Sequence, residues 1–210
     1  MKIELKRKVA LLAIALVCAG TALAQHTSTR ATEKLRVISF HGDMAALLGQ
    51  LAQSYGVTIG MEADARKPRS EVTVELHDAT LPDILNAIVE SEPRYRWRDN
   101  SGFIEVFPVS GTNPLLDLTI NFQVRDVKQD DMLDQLMNLP EVQAGMAALN
   151  LKRRVSDRPS SRTREEKFSL SLEQVSLRQA LDRIAKESGA MFWLFRQDDE
   201  GSLSVSTAHW

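Results

Sequence analysis

His77 beside Asp78, and His41 two residues before Asp43, are the pairs in this chain that could hold a metal or pass a proton. Their spacing matches no metal-ligand motif. His77 falls on the polar face of an alternating strand, and Asp43 and Asp78 stand where turn and cap residues belong, so both pairs read as structural. His26 and His209 lie in the two terminal stretches. No serine sits in G-x-S-x-G, and Ser39, Ser54, Ser70, Ser91 and Ser101 open no S-x-x-K motif. The carboxylate pairs Asp130-Asp131, Glu165-Glu166 and Asp198-Asp199 are adjacent in sequence, so their side chains diverge and cannot work as paired acids. No glycine-rich phosphate loop is present. Cys18 is the only cysteine. The expectation is a protein that is not an enzyme and has no catalytic, cofactor or metal residues.

The aromatic residues carry more. Trp97 and Trp193 recur at one position of a repeat, where core packing is the ordinary role. Phe103 and Phe107 alternate out of phase with Ile104 and Val106, and Phe192 with Leu194 out of phase with Met191 and Trp193. A strand apolar on both faces is either covered on both sides or offers a docking surface. Phe103, Phe107 and Phe192 are therefore the candidate partner-binding residues, acting by strand addition.

The elements that position them form one small unit used twice. In residues 71–108, Val72, Val74 and Leu76 alternate with polar residues, the period of a half-buried strand. Leu81, Ile84, Leu85, Ile88 and Val89 then take helical spacing, with Thr80 as N-cap and Pro82 in the first turn. Pro93 ends the helix. Tyr95 and Trp97 open a hairpin that turns at Asp99-Asn100-Ser101-Gly102 and returns through Ile104 and Val106. Residues 168–207 repeat this: Leu76, Leu81, Leu85, Ile88 and Trp97 fall on Leu172, Leu177, Leu181, Ile184 and Trp193.

Residues 1–24 read as a cleavable signal peptide, with Lys2, Lys6, Arg7 and Lys8, an apolar run from Val9 to Val17, and Ala22-Leu23-Ala24. Its removal leaves 22 basic against 27 acidic residues, a net charge of −5, which argues against nucleic acid as a partner. No later run is long enough to span a membrane, so a periplasmic protein is expected. Residues 25–34 read as a flexible tail. The first unit spans 35–109, with a strand at Leu35–Phe40, a turn at His41-Gly42-Asp43, an amphipathic helix from Met44 to Tyr55 stopped by Gly56, and a strand from Val57. Residues 110–117 read as a linker. The second unit spans 118–208: a strand through Leu118, Ile120 and Phe122, a helix carrying Met132, Leu133, Leu136 and Met137, an interruption at Pro140, and more helix over 142–149. Nothing in it matches the Val57 strand. A loop at 152–167 carries seven basic and three acidic residues and reads as solvated.

The stretch from Val175 to Gly189, with Leu177, Ala180, Leu181, Ala185, Ser188 and Gly189 in place, resembles the secretin and TonB short N-terminal domain family. Leu81, Leu85 and Ile88 fit the same pattern more loosely, as does the stretch from Phe40 to Gly56. The resemblance implies an α+β fold of two tandem β-α-β-β-α-β-β-type, secretin N-domain-like units, the second divergent. It carries no catalytic residues. It implies periplasmic docking onto other envelope proteins: secretin, pilus-assembly or TonB-linked components. The alternative is a periplasmic ligand- or cell-wall-binding domain.

Overall fold

The computed structural model describes residues 35–67, 69–154 and 166–208. The signal segment, the tail and most of the charged loop lie outside the described residues.

The fold is mixed α+β. A long strand, β1 (Leu35–Asp43), runs directly into α1 (Met44–Tyr55). Asp43 makes this abrupt change of period possible, because its carboxylate accepts hydrogen bonds from the Ala45 and Ala46 amides at 2.8 and 3.3 Å. The expected turn at His41-Gly42-Asp43 is instead strand: these residues pair with Glu71–Thr73 of β3. Gly56 closes α1 in the left-handed conformation, φ 62°. Then come β2 (Thr58–Glu62), β3 (Glu71–Ala79), α2 (Leu81–Ser91) and the hairpin β4 (Tyr95–Asn100) and β5 (Phe103–Pro108). Positive φ at both Ser101 and Gly102 gives this hairpin a turn whose twist suits the flanking strands.

The second half repeats the order with β6 (Thr119–Lys128), α3 (Gln129–Met137), α4 (Pro140–Ala148), β7 (Lys152–Arg153), β8 (Lys167–Ser176), α5 (Leu177–Glu187), β9 (Phe192–Gln197) and β10 (Ser202–Ala208). The counterpart of the Val57 strand is present after all. It is β7, two residues long, pairing parallel with β10 as β2 pairs parallel with β5. So short an element leaves no periodicity to read. The repeat holds to local detail. Thr80 with Asp83 and Ser176 with Gln179 each make a reciprocal capping box at the start of an 11-residue helix. Trp97 donates its indole N–H to Asn86, and Trp193 donates to Asp182, each eleven residues upstream on the preceding helix.

Among the described residues β1 pairs only with β3, and β6 only with β8, as two antiparallel ribbons. The other six strands form one sheet in the order β4-β5-β2-β9-β10-β7. The halves are joined by β2 and β9, which run parallel. The first half contributes three strands in the order edge, hairpin partner, parallel strand. The second contributes its three in the same order, with every direction reversed. This is a half-turn about an axis lying in the sheet across the strands, together with a shift of three strands. Such an operation also exchanges the two faces. The core of the first half, built on α1 and α2, therefore lies on one face, and that of α3, α4 and α5 on the other. The residues expected to form a free linker belong to this second core: Pro114–Asp117 is a 3-10 turn that buries Leu115 and Leu116.

Candidate functional site

The seam between β2 and β9 is where the two halves meet, and its side chains alternate between the two cores. Ile59 and Met61 face the first core. Opposite them in the sheet, Phe192 and Leu194 do the same. Between them Gly60 lies opposite Trp193, which faces the second core. The approach is close: a Cβ at Gly60 would stand 2.3 Å from Trp193 Cε2. Glycine within a buried strand is the residue that permits this.

Polar groups are buried along the seam. Arg178 at the start of α5 reaches the Glu62 carboxylate at 3.0 Å, both side chains 4 % exposed. The Asn113 amide also donates to Glu62, and Arg178 Nε stands 3.9 Å from Asp117, beyond hydrogen-bond reach. Burial pushes the Glu62 carboxyl up, against the pull of Arg178. Asp182 is buried beside Trp193 and accepts its indole N–H at 2.7 Å. Burial raises its pKa to about 7, opposed by that hydrogen bond and assisted by the nearby Glu105. Glu105 is fully buried and accepts from Arg98 Nε at 2.7 Å and from Asn100 at 3.1 Å. Where the seam reaches the surface a pocket of about 170 Å³ opens, lined by Glu62, Asp64, Arg66, Asn113 and Gln197 among others. Ligand sites usually run from roughly 300 to 1,000 Å³. Among the described residues no three His, Cys, Asp or Glu groups converge to hold a metal. His41 Nδ1 shares a 2.8 Å hydrogen bond with Thr73 Oγ1 across the β1–β3 ribbon, and His77 lies opposite Val37 in the same ribbon.

The three phenylalanines do not form one surface. Phe192 is 1 % exposed and packs in the first core, so its place as a partner-binding residue is corrected. Both faces of β9 are covered because the second half turns its helices to the opposite side of the sheet. Strand addition does occur at this hairpin, but inside the chain. Phe103 and Phe107 remain partly exposed on the face of β5 turned away from α1 and α2. There Phe103 lies under Arg183 and Lys186 of α5, at 5.9 and 5.6 Å from the ring centre, and Phe107 lies under Arg98 at 5.1 Å. Phe192→Ala is expected to cost about 3 kcal/mol in urea unfolding and Phe107→Ala less than about 1 kcal/mol. Equal losses would mean that Phe107 is as much a core residue as Phe192.

The sequence reading missed Gly60, Glu62, Arg178 and Asp182. Two signals were available. A lone glycine in the apolar run from Val57 to Met61 marks a close approach, and Asp182 occupies the repeat position of Asn86. The partner of Glu62 was not legible, since 116 residues separate it from Arg178. Two sheet edges are left by this arrangement: β4 at one end and β7 at the other. Among the described residues no strand pairs with the outer side of either. No family model matches the chain, and neither a curated protein nor a solved structure was found to be similar to it.

Proposed function

We propose that this chain is a non-enzymatic interaction module of the bacterial periplasm, an adaptor to an outer-membrane secretin or pilus assembly or to a TonB-linked signalling system. The observation that carries the reading is the seam: the edge strand of one unit accepts a strand of another in parallel register, burying Phe192 and Trp193 as it does so. A fold that assembles internally by strand addition is suited to the same contact with another protein. The likeness of residues 175–189 to the secretin and TonB short N-terminal domains supports the class of partner, and the signal-like residues 1–24 support the compartment. Among the described residues no helix is long and apolar enough to cross a membrane. The alternative of a ligand- or cell-wall-binding domain is less favoured, because the pocket at the seam is small.

The test is crosslinking in intact cells, with a photoreactive residue placed in turn on β4, on α5 and on the β1–β3 ribbon. Mass spectrometry then identifies the adducts. A secretin, pilus-assembly protein, TonB-linked receptor or anti-sigma regulator is the expected product. Absence of protein adducts from all three surfaces, with retention of the purified protein on peptidoglycan, would sink the adaptor reading.

A further inference from the structure

The β4 edge is the counterpart of a strand that already carries an added strand. Ninety-six residues on, β9 pairs with β2. The Ile59 amide donates to the Met191 carbonyl at 2.9 Å and the Ala63 amide to that of Phe195 at 2.8 Å. The backbone groups that β9 offers are thus those of alternate residues, Met191, Trp193 and Phe195. Their counterparts on β4 are Tyr95, Trp97 and Asp99. The Val109 amide bonds to the Arg94 carbonyl, so Arg94, Arg96 and Arg98 turn their backbone groups toward β5. Those of Trp97 and Asp99, with the Tyr95 carbonyl, point off the sheet, as the internal pairing requires; the Tyr95 amide donates to the Glu92 carbonyl at 3.1 Å.

The side chains agree in one respect and differ in another. Trp193 is fully buried beneath the incoming strand, with Gly60 opposite it. Trp97 has the same fixed indole, held by Asn86 at 2.9 Å, and is left only partly covered. On the other face, β9 presents Phe192 and Leu194 to the helices of its neighbour. β4 has Arg96 and Arg98 there, and both are exposed. Apolar side chains at these two positions would face water. Another copy of β2 is therefore a poor occupant, since Ile59 and Met61 would meet two guanidinium groups. The open edge of β7 offers Lys152 and Arg153, which gives the same sign of charge at both ends and opposes end-to-end pairing of whole chains.

From this we infer that the β4 edge binds an extended acidic segment of a partner protein. The segment adds as a parallel strand, with a glycine opposite Trp97 and carboxylates opposite Arg96 and Arg98. This inference rests on the reading of the chain as an interaction module and specifies what one of its edges takes. The partner's carboxylates meet the two arginines of β4, and its glycine, which the short basic edge of β7 has no tryptophan to require, lets the Trp97 ring close over the added backbone.

The probe is a peptide of residues 57–63 carrying Ile59→Glu and Met61→Glu, with the unchanged 57–63 peptide as its control. Binding to the purified protein is followed by NMR, through shifts and hydrogen exchange of individual amides. The acidic peptide is expected to slow exchange at Trp97 and Asp99 by tenfold or more at saturation. Its affinity is expected to fall at least tenfold in Arg96→Glu, a variant that leaves the Arg98–Glu105 pair intact, and to recover when the two peptide glutamates are lysines. Four results overturn the inference. They are protection elsewhere than β4, equal affinity for Arg96→Glu, tighter binding of the unchanged peptide, and full protection of the Trp97 amide before any peptide is added, which would mean that the chain covers this edge itself. None of these bears on crosslinks from α5 or from the β1–β3 ribbon, so the adaptor reading stands or falls separately.

Discussion

Gly60→Val is expected to destabilise the protein by about 4–5 kcal/mol, the largest effect of any single change at the seam. Valine suits a strand in general, so propensity alone predicts a gain. The site decides otherwise. A Cβ there would stand 2.3 Å from two atoms of the Trp193 indole, a distance no pair of carbon atoms tolerates. The ring cannot swing aside cheaply. It is fully buried, closely packed in the second core, and its N–H is held by Asp182. Either the indole leaves its place and gives up that hydrogen bond, or β2 and β9 separate. The measurement is urea unfolding of Gly60→Val, Trp193→Ala and the pair. Trp193→Ala alone should cost about 3–4 kcal/mol by cavity formation. In the double variant the clash is gone, so its loss should be close to that of Trp193→Ala alone, a coupling of about 3 kcal/mol or more. Additive losses would show that Gly60 is needed for some reason other than the ring above it.

The same two residues mark the boundary of what the sequence makes legible. Local features come through directly. The caps at Asp43, Thr80 and the stop at Gly56 are short-range chemistry, and the structure has all three. Pro140 does begin a new helix. The recurrence of Trp97 at Trp193 marks one position of one unit, and both indoles bond the preceding helix in the same way. What does not come through is where a repeated unit puts its second copy. Periodicity shows that β9 is apolar on both faces; it leaves covered and docking as equal alternatives. The answer lies in the reversal of strand direction between the halves, and that reversal is set by contacts between residues more than a hundred positions apart, such as Gly60 and Trp193. The contrast between Arg96 and Arg98 on β4 and Phe192 and Leu194 on β9 is visible in the sequence, but it acquires meaning only once one strand is known to be inside the sheet and the other at its end. β7 fails for a simpler reason: two residues carry no period.

Asp182→Asn should make stability far less dependent on pH, and the sign follows from the direction of the shift. In the unfolded chain this carboxyl ionises near its ordinary value of 3.8, and in the folded protein burial beside Trp193 and near Glu105 holds it protonated up to about 7. Between those values the folded state carries one proton more than the unfolded state, so stability falls as pH rises. The favourable contribution is complete below about pH 4 and gone above about pH 7. Three pH units at about 1.4 kcal/mol each give a loss on the order of 4 kcal/mol. Asparagine cannot ionise, yet it keeps an oxygen for the indole N–H, as Asn86 does for Trp97 in the first half. At pH 4 the variant should therefore match the parent. At pH 8 it should be the more stable by about 3–4 kcal/mol. Urea unfolding at half-unit intervals from pH 4 to 8 measures this. A residual slope of the same sign is expected from Glu62, whose carboxyl is also raised by burial, although Arg178 at 3.0 Å opposes it. Parallel curves for parent and variant would mean that the Asp182 charge is neutralised in the fold by Arg178 and Arg183 after all. A crossing with the variant weaker at pH 8 would mean that the ionised carboxylate is what holds the Trp193 ring over Gly60.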